Sequence, residues 1–394
     1  MRVLHVIPAI ADRYGGPSQA VLQMCRATRA LGVMAEIATT DADGPGRRMR
    51  LGDEQPCVYK DVPVWTFPRT CSERWKYSYR LRRWLDAHVA EYDLLHVHSV
   101  FSYATAAACR AARRRHVPVI LRPCGMLAPY SLSLSSLRKG IYWRLIERHA
   151  VESASCLHAT SPEERDELQR LVPRVDVRCI PLGLPQEAWS VPRQPGAFRE
   201  RFGIAPDRPL LLFLSRLHRK KGLADLLLPA LARLPAEVML AVVGEDDPHD
   251  PAYARHCRSV AAQLGVERQI VFTGPIYAPD KWHVYDDAHL YILPSQHENF
   301  GITVIEAAAR GTPGLFSPFV QAGRLLLDAG TGAVANNDVE SLTAAIEGFL
   351  NRSLEERQAI GARAQEFTRR ELSLDAMSRK LVDMYERVAG TGDR

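Results

Sequence analysis

The chain reads as an α/β protein built from two Rossmann-like parallel-sheet domains facing each other across a cleft. Two observations predict this. Short apolar runs alternate with helical patterns along nearly the whole length, and the rhythm stops and restarts across a stretch rich in Pro, Gly and Arg. The length of 394 residues suits two domains of ordinary size, each with its own core. In the first half the strand-like runs are Val3–Ile7, Ala35–Ala38, Leu94–Val97, Val117–Leu121, Cys156–Ala159 and Val177–Ile180. In the second they are Leu210–Leu214, Val238–Val243, Ile270–Phe272, Leu290–Leu293 and Gly314–Phe316, followed by amphipathic helices from about Val339 to the C-terminus. The expected boundaries are an N-terminal domain at 1–188, a linker at 189–207, a second domain at 208–372 and a last helix at 373–394. In such sheets ligands bind at the C-terminal ends of the strands.

Hydrophobic residues at 46% and charged residues at 24% are ordinary for a soluble globular protein. No apolar run approaches the roughly 18 residues that span a bilayer. The opening Met1–Pro8 is short and soon broken, so it reads as a first strand rather than a secretory signal. The eight cysteines are scattered without a C-x-x-C pair, which argues against a disulfide framework and a zinc site and for a reducing cytoplasm. The net charge of +6 is uneven: residues 1–185 hold 27 Lys and Arg against 18 Asp and Glu, and the remainder hold 24 against 27. A basic first half meets something anionic, whether a membrane surface, a lipid-phosphate acceptor or nucleic acid.

The densest chemistry lies in Ser295-Gln-His-Glu-Asn-Phe-Gly-Ile-Thr-Val-Ile-Glu-Ala, where seven residues separate Glu298 from Glu306. The preceding apolar run puts Glu298 in a loop at a strand's C-terminal end, and the following residues put Glu306 on a helix. Between them, the amides of Asn299, Phe300, Gly301 and Ile302 can point outward at a helix N-terminus, where anions bind. Two acceptors for sugar hydroxyls thus flank a set of donors for phosphate. With the flanking Pro294-Ser295 and the trailing Gly311-Thr-Pro313, the segment resembles the donor-site signature of retaining glycosyltransferases of family 4, and the likeness extends along most of the chain.

That resemblance implies the GT-B fold, with the last helix returning to the first domain. It implies a retaining hexosyltransferase that uses a nucleoside-diphosphate sugar, with a glycan or lipid-linked acceptor in polysaccharide biosynthesis at the cytoplasmic membrane face. Glu298 would hold sugar hydroxyls and Glu306 the ribose diol. In Ser215-Arg-Leu-His-Arg-Lys-Lys-Gly, Arg216 and Lys221 stand at the spacing that closes on a diphosphate, one as a fork and one as a point charge. Gly15 and Gly16 permit a turn that exposes amides before a helix, and relatives bring this loop to the donor phosphates. It is not G-x-G-x-x-G, so a dehydrogenase reading is poor. The loops at Gly244 and Gly274 would shape the nucleotide pocket, with the backbone at Ile276 facing the base.

In Tyr92–Ser102, His96 and His98 share one strand face. With no third ligand evident nearby, a hydrogen-bonded or acceptor-facing His98 is expected over a metal ligand. No metal and no cofactor are expected, because cationic side chains and helix dipoles do the ion's work in the family. The next strand ends Arg122-Pro-Cys-Gly-Met-Leu, where many relatives carry His in place of Cys124. The resemblance places Arg122, Cys124 and Gly125 near the acceptor or transferred sugar, with either Arg122 or His98 standing in for the missing histidine or the contact not needed. A noncatalytic nucleotide-sugar-binding homologue, or another GT-B enzyme such as an epimerase, is the alternative. Basic and aromatic residues mix in Arg69–Arg83 and Ser135–His149, the composition of a membrane-surface element or of snorkelling arginines. The donor motifs speak against nucleic acid.

Overall fold

The computed structural model describes residues 1–52, 55–70, 73, 75–128, 143, 147–247 and 250–390. It divides into two units, Met1–Gly183 with Leu374–Arg394, and Leu184–Ser373. The first unit runs β1 (Arg2–Val6), α1 (Gly16–Ala30), β2 (Met34–Thr40), β3 (Pro56–Tyr59), β4 (Val62–Phe67), α2 (Tyr79–His88), β5 (Leu94–His98) and α3 (Tyr103–Arg114). It continues with β6 (Val119–Arg122), α4 (Arg148–Glu152), β7 (Cys156–Ala159), α5 (Pro162–Leu171) and β8 (Val177–Cys179). The sheet order is β3-β4-β2-β1-β5-β6-β7-β8, and β3 pairs antiparallel at the edge. Strands β5, β6 and β7 are buried at every position because helices cover both faces, which is why they read as unbroken apolar runs. Side-chain caps fix the helix starts at this sheet's edge: Ser102 accepts from the Thr105 amide and Ser161 from the Glu164 amide.

The second unit holds α6 (Glu187–Ser190), α7 (Ala197–Phe202), β9 (Leu210–Leu214) and a 3₁₀ turn at Arg219–Lys221. A π-helical turn, Leu223–Leu227, runs into α8 (Leu228–Leu231), followed by β10 (Met239–Val243), α9 (Tyr253–Gln263), β11 (Ile270–Gly274) and α10 (Lys281–Asp287). Then come β12 (Leu290–Leu293), α11 (Ile302–Ala309), β13 (Gly314–Phe316), α12 (Gln321–Asp328), β14 (Gly332–Val334), α13 (Val339–Leu350) and α14 (Leu354–Glu371). Its sheet is wholly parallel in the order β11-β10-β9-β12-β13-β14, so the direction of winding reverses between β9 and β12. The stretch expected to be a linker, 189–207, instead carries α7 and packs in this unit: the Asp287 carboxylate accepts from the amides of Gly196, Phe198 and Arg199 at 2.6–3.1 Å. Strands β3, β4 and β14 were not anticipated. Pro63 interrupts the apolar pattern of β4, β3 is a half-exposed edge, and β14 has three residues.

The last helix, α15 (Leu374–Gly390), packs on α1 and the first unit's sheet through Met377, Leu381, Met384, Tyr385 and Val388. Beneath it lies a set of histidines with 0% exposure: His5, His96, His98 and His158. The tautomers of His158 and His96 follow from one carbonyl. His158 Nε2 donates to the Ile180 carbonyl at 2.9 Å, so its Nδ1 accepts from His96 Nε2 at 3.2 Å. That leaves His96 Nδ1 to accept the Tyr385 hydroxyl at 2.8 Å, and the interior chain is closed.

Burial first, and the Arg122 charge with it, pull His5 and His158 from 6.5 down to about 3. Between those values the unfolded chain binds more protons than the folded one, so the stability of neutral burial falls as pH drops. Urea denaturation stepped from about pH 7.5 to about pH 5 is expected to show stability declining below about 6.5, by up to about 1.4 kcal/mol per pH unit for each histidine. A flat profile there would show that these rings take up protons without cost.

Candidate active site

The loops after β9 and β12 meet at the point where the second unit's sheet reverses. Gly222 lies at φ 73° after the 3₁₀ turn, and a Cβ there would stand 2.3 Å from the Pro294 carbonyl oxygen. Only glycine allows this approach, and the Gln296 amide then donates to the Lys220 carbonyl at 2.7 Å. The consequence is an ion pair between Lys221 Nζ and Glu298 Oε2. Lys221 is 7% exposed. Burial, then the charges of Lys220 and Arg216, pull its ammonium down to about 7. Arg216 is exposed and enters no ion pair among the described residues.

Glu298 is fixed through its backbone, its amide donating to the Phe319 carbonyl at 3.0 Å. Gly301, at φ 90°, is the N-cap of α11 and supplies no side-chain cap. Among the described residues no hydrogen bond engages the amides of Asn299, Phe300, Gly301 or Ile302, so the first turn keeps its donors for a ligand. The Phe300 side chain itself is buried, which makes its contribution a main-chain one. Glu306 stands on α11 at 6% exposure, with Oε1 accepting from Lys281 Nζ at 2.7 Å and Oε2 from the Tyr285 hydroxyl at 2.9 Å. Burial, and then the Glu306 charge, push the Tyr285 phenol up, keeping it a donor.

Lys281 and Tyr285 escaped the sequence reading. Their only signal is a helix spacing that puts both on one face of α10. Gly274 is at φ 73° with open space around it, and Ile276 is half-buried beside it. Gly244 has a different reason: a Cβ would stand 1.9 Å from the Ser215 carbonyl, so it sets the packing of the β9 and β10 loops.

In the first unit, Gly15 takes φ 71°, ψ −139°, and Gly16 opens α1 with Pro17 in its first turn. His98 takes the hydrogen-bonded of its two expected roles, and Arg122 is buried beside it. Both are turned into the interior rather than toward an acceptor: His98 is bonded to His5 at 2.9 Å, and Arg122, 2% exposed, lies 3.9 Å from the Met24 sulfur. The expectation that the His96/His98 pair lacks a third partner is also corrected. His5 joins them with ligand nitrogens all within 4.8 Å, a grouping that could hold a metal ion. The neighbouring Arg122 charge opposes a dication, and the rings already bond to one another, so the hydrogen-bonded network is the better fit.

Cys124 sits at φ 57° with Sγ 3.5 Å from the Arg122 carbonyl, its thiol pushed up by burial. The next amide, Gly125, donates to Glu164 Oε1 at 2.7 Å, while Glu164 Oε2 accepts from the Thr160 amide and hydroxyl, each at 2.8 Å. This buried carboxylate, 39 residues away in sequence, pins the turn and was not foreseen. Most of Ser135–His149 lies outside the described residues, as do Cys71, Ser72 and Arg74 of the other basic-aromatic segment.

Two parallel-sheet units with a cation, a carboxylate and free helix amides at the second sheet's switch point define a glycosyltransferase of the GT-B type. Residues 15–183 match the family described as glycosyl transferase 4-like domain, and residues 196–367 match glycosyl transferases group 1. The chain belongs to this group, glycosyltransferase family 4. It is similar to a D-inositol 3-phosphate glycosyltransferase of Xylanimonas cellulosilytica, 27% identical over 94% of this chain and 91% of that protein. It is also similar to an alpha-maltose-1-phosphate synthase of Mycolicibacterium smegmatis, 28% identical over 56% of this chain and 58% of that one. Among solved structures, Anabaena Alr3699/HepE in complex with UDP and glucose shares the fold, with a TM-score of 0.77, 18% identity, and 98% and 100% of the two chains covered.

Described helices include none long and apolar enough to cross a membrane. Gly222→Ala forces a side chain into the left-handed region and against the Pro294 carbonyl. It is expected to destabilise the second unit by at least about 1–3 kcal/mol, read as a lowered melting temperature. An unchanged melt would show that the two loops do not need this approach.

Proposed function

We propose that the chain transfers a hexose from a UDP-sugar to a hydroxyl of a glycan or lipid-linked acceptor, with retention of configuration. The observation that carries this reading is the Lys221–Glu298 pair set beside the unengaged amides of Asn299–Ile302, at the switch point between β9 and β12. Support for the donor comes from Anabaena Alr3699/HepE, whose structures hold UDP, glucose and UDP-glucose. The relatives named for inositol 3-phosphate and maltose 1-phosphate support a sugar-like acceptor.

In this reading the donor diphosphate takes Lys221 from Glu298, and Arg216 closes on the same phosphates. As the bond from the anomeric carbon to the phosphate oxygen breaks, negative charge grows on the leaving diphosphate. Lys221, Arg216 and the α11 amides offset it. Glu298, released from its lysine, accepts from sugar hydroxyls and steadies the positive charge at the anomeric carbon. The acceptor oxygen bonds to that carbon on the face the phosphate leaves, and its proton passes to the departing phosphate oxygen. No separate general base is required. Glu306, oriented by Lys281 and Tyr285, holds the ribose diol, and the backbone from Gly274 to Ile276 meets the base. The role of the Gly15–Gly16 turn in phosphate binding rests on the family likeness. The reaction needs no cofactor and no metal, since Lys221 and Arg216 provide the cationic charge. Polysaccharide assembly at the cytoplasmic face of a membrane is the setting this acceptor class suggests.

UDP release from UDP-glucose without acceptor tests the assignment. Glu298→Ala and Arg216→Ala are each expected to slow it about 100- to 1,000-fold, with UDP affinity weakened only in the arginine variant. Full activity in Glu298→Ala would sink the role given to that carboxylate.

A further inference from the structure

The first unit holds a second polar site that the donor machinery does not use. A cavity of about 630 Å³ is lined by Asp41, Arg47, Arg48, Arg50, Thr66 and Phe67, among others. Its volume lies within the roughly 300–1,000 Å³ of small-molecule sites. It opens where β2 and β4 end, neighbouring parallel strands paired through Thr40 and Phe67. That is the carboxyl edge at which open α/β sheets take their ligands.

The wall of the cavity is braced. The Asp41 amide donates to the Phe67 carbonyl at 2.9 Å, the Met49 amide to the Asp41 carbonyl at 2.8 Å, and Ala42 bridges Arg48. Below, Arg69 at 7% exposure donates to the carbonyls of Gly44 and Arg47, each at 3.4 Å, while its own amide donates to Asp41 Oδ1 at 2.8 Å. One arginine of the wall is balanced: Arg48 pairs with Asp41 at 3.1 Å. Arg47 and Arg50 enter no ion pair among the described residues, so the cavity carries surplus positive charge on a backbone already fixed in place.

Guanidinium forks on a fixed wall bind phosphate, because they match its oxygens in pairs and lose little freedom in doing so. A run of arginines is more often a solvated face. The cavity, its place at the strand ends and the bracing by a buried arginine set this one apart. We propose that the Arg47–Arg50 wall is the subsite for a phosphate carried by the acceptor, so that the acceptor is a phosphorylated polyol or sugar, or a lipid with a phosphate headgroup. The proposal rests on the glycosyl-transfer reading and names its acceptor class.

Inorganic phosphate is the probe, titrated by calorimetry and thermal shift with UDP saturating so that the donor site is filled. The wild type is expected to bind phosphate. Arg47→Gln/Arg50→Gln, which changes two exposed side chains, is expected to weaken it at least about tenfold with UDP affinity unchanged. Phosphate affinity within about twofold of wild type in that variant, or no phosphate binding by the UDP-bound wild type, overturns the proposal. UDP binding is the separate readout: its absence in the wild type refutes the donor-site reading, and the loss of phosphate affinity in Arg47→Gln/Arg50→Gln then still decides the arginine wall, because neither residue belongs to the donor site. Flotation on phosphatidylcholine vesicles with and without phosphatidylinositol separates the sources. Arginine-dependent flotation points to a lipid headgroup, and phosphate binding without flotation to a soluble acceptor.

Discussion

The donor site depends on one close approach. Because Gly222 has no side chain, the turn after β9 can lie against the Pro294 carbonyl at the end of β12. A lysine and a glutamate separated by 77 positions thereby share one partly dry site. The lysine charge is not comfortable alone there: burial opposes it, and Lys220 and Arg216 crowd it further. In the proposed reaction each member of the pair exchanges its partner for one in a nucleotide sugar, phosphate for the cation and hydroxyls for the carboxylate. Beside the pair, the first amides of α11 engage no hydrogen bond among the described residues.

The first unit solves a different problem. Its C-terminal strand ends carry polar and charged side chains that the interior must absorb. Four histidines do so by staying neutral: His158 and His96 bond in a chain that ends on Tyr385 of the last helix, and His5 bonds His98 beside them. The hydroxyl gives α15 a directional contact within an otherwise apolar seam of methionines and leucines. Glu164 does comparable work at the neighbouring turn, where one buried carboxylate holds Gly125 and Thr160 together and supports the left-handed backbone at Cys124.

Much of this was legible beforehand. The parallel strands announced themselves as apolar runs because burial on both faces leaves no alternation. The strands that stayed hidden were the edge pair, where Pro63 and half-exposed residues blur the pattern, and the short β14. Glu298, Arg216 and Lys221 stood out because they follow strand ends, which can be read from the runs, and Glu306 because it lies on the helix that begins just after Glu298. Their partners could not be read in the same way. Lys281, Tyr285 and Glu164 are ordinary helix residues until the packing of α10 against α11, or of α5 against the β6 turn, brings them to a carboxylate or an amide.

The sequence by itself determined the alternation of elements, the family, and which residue types stand at the ends of β9 and β12, because periodicity and local turn chemistry act over a few residues. Only the tertiary structure decided where side chains at the same strand ends point. His98 could be read as hydrogen-bonded or acceptor-facing and Arg122 as near the acceptor; the register of β1, β5 and β6 puts both on the face covered by α1 and α15, where they are buried. A strand's side chains alternate between two faces. Both faces of these strands are covered, and it is the last helix, from the far end of the chain, that helps seal the face carrying His98 and Arg122, which no local pattern encodes.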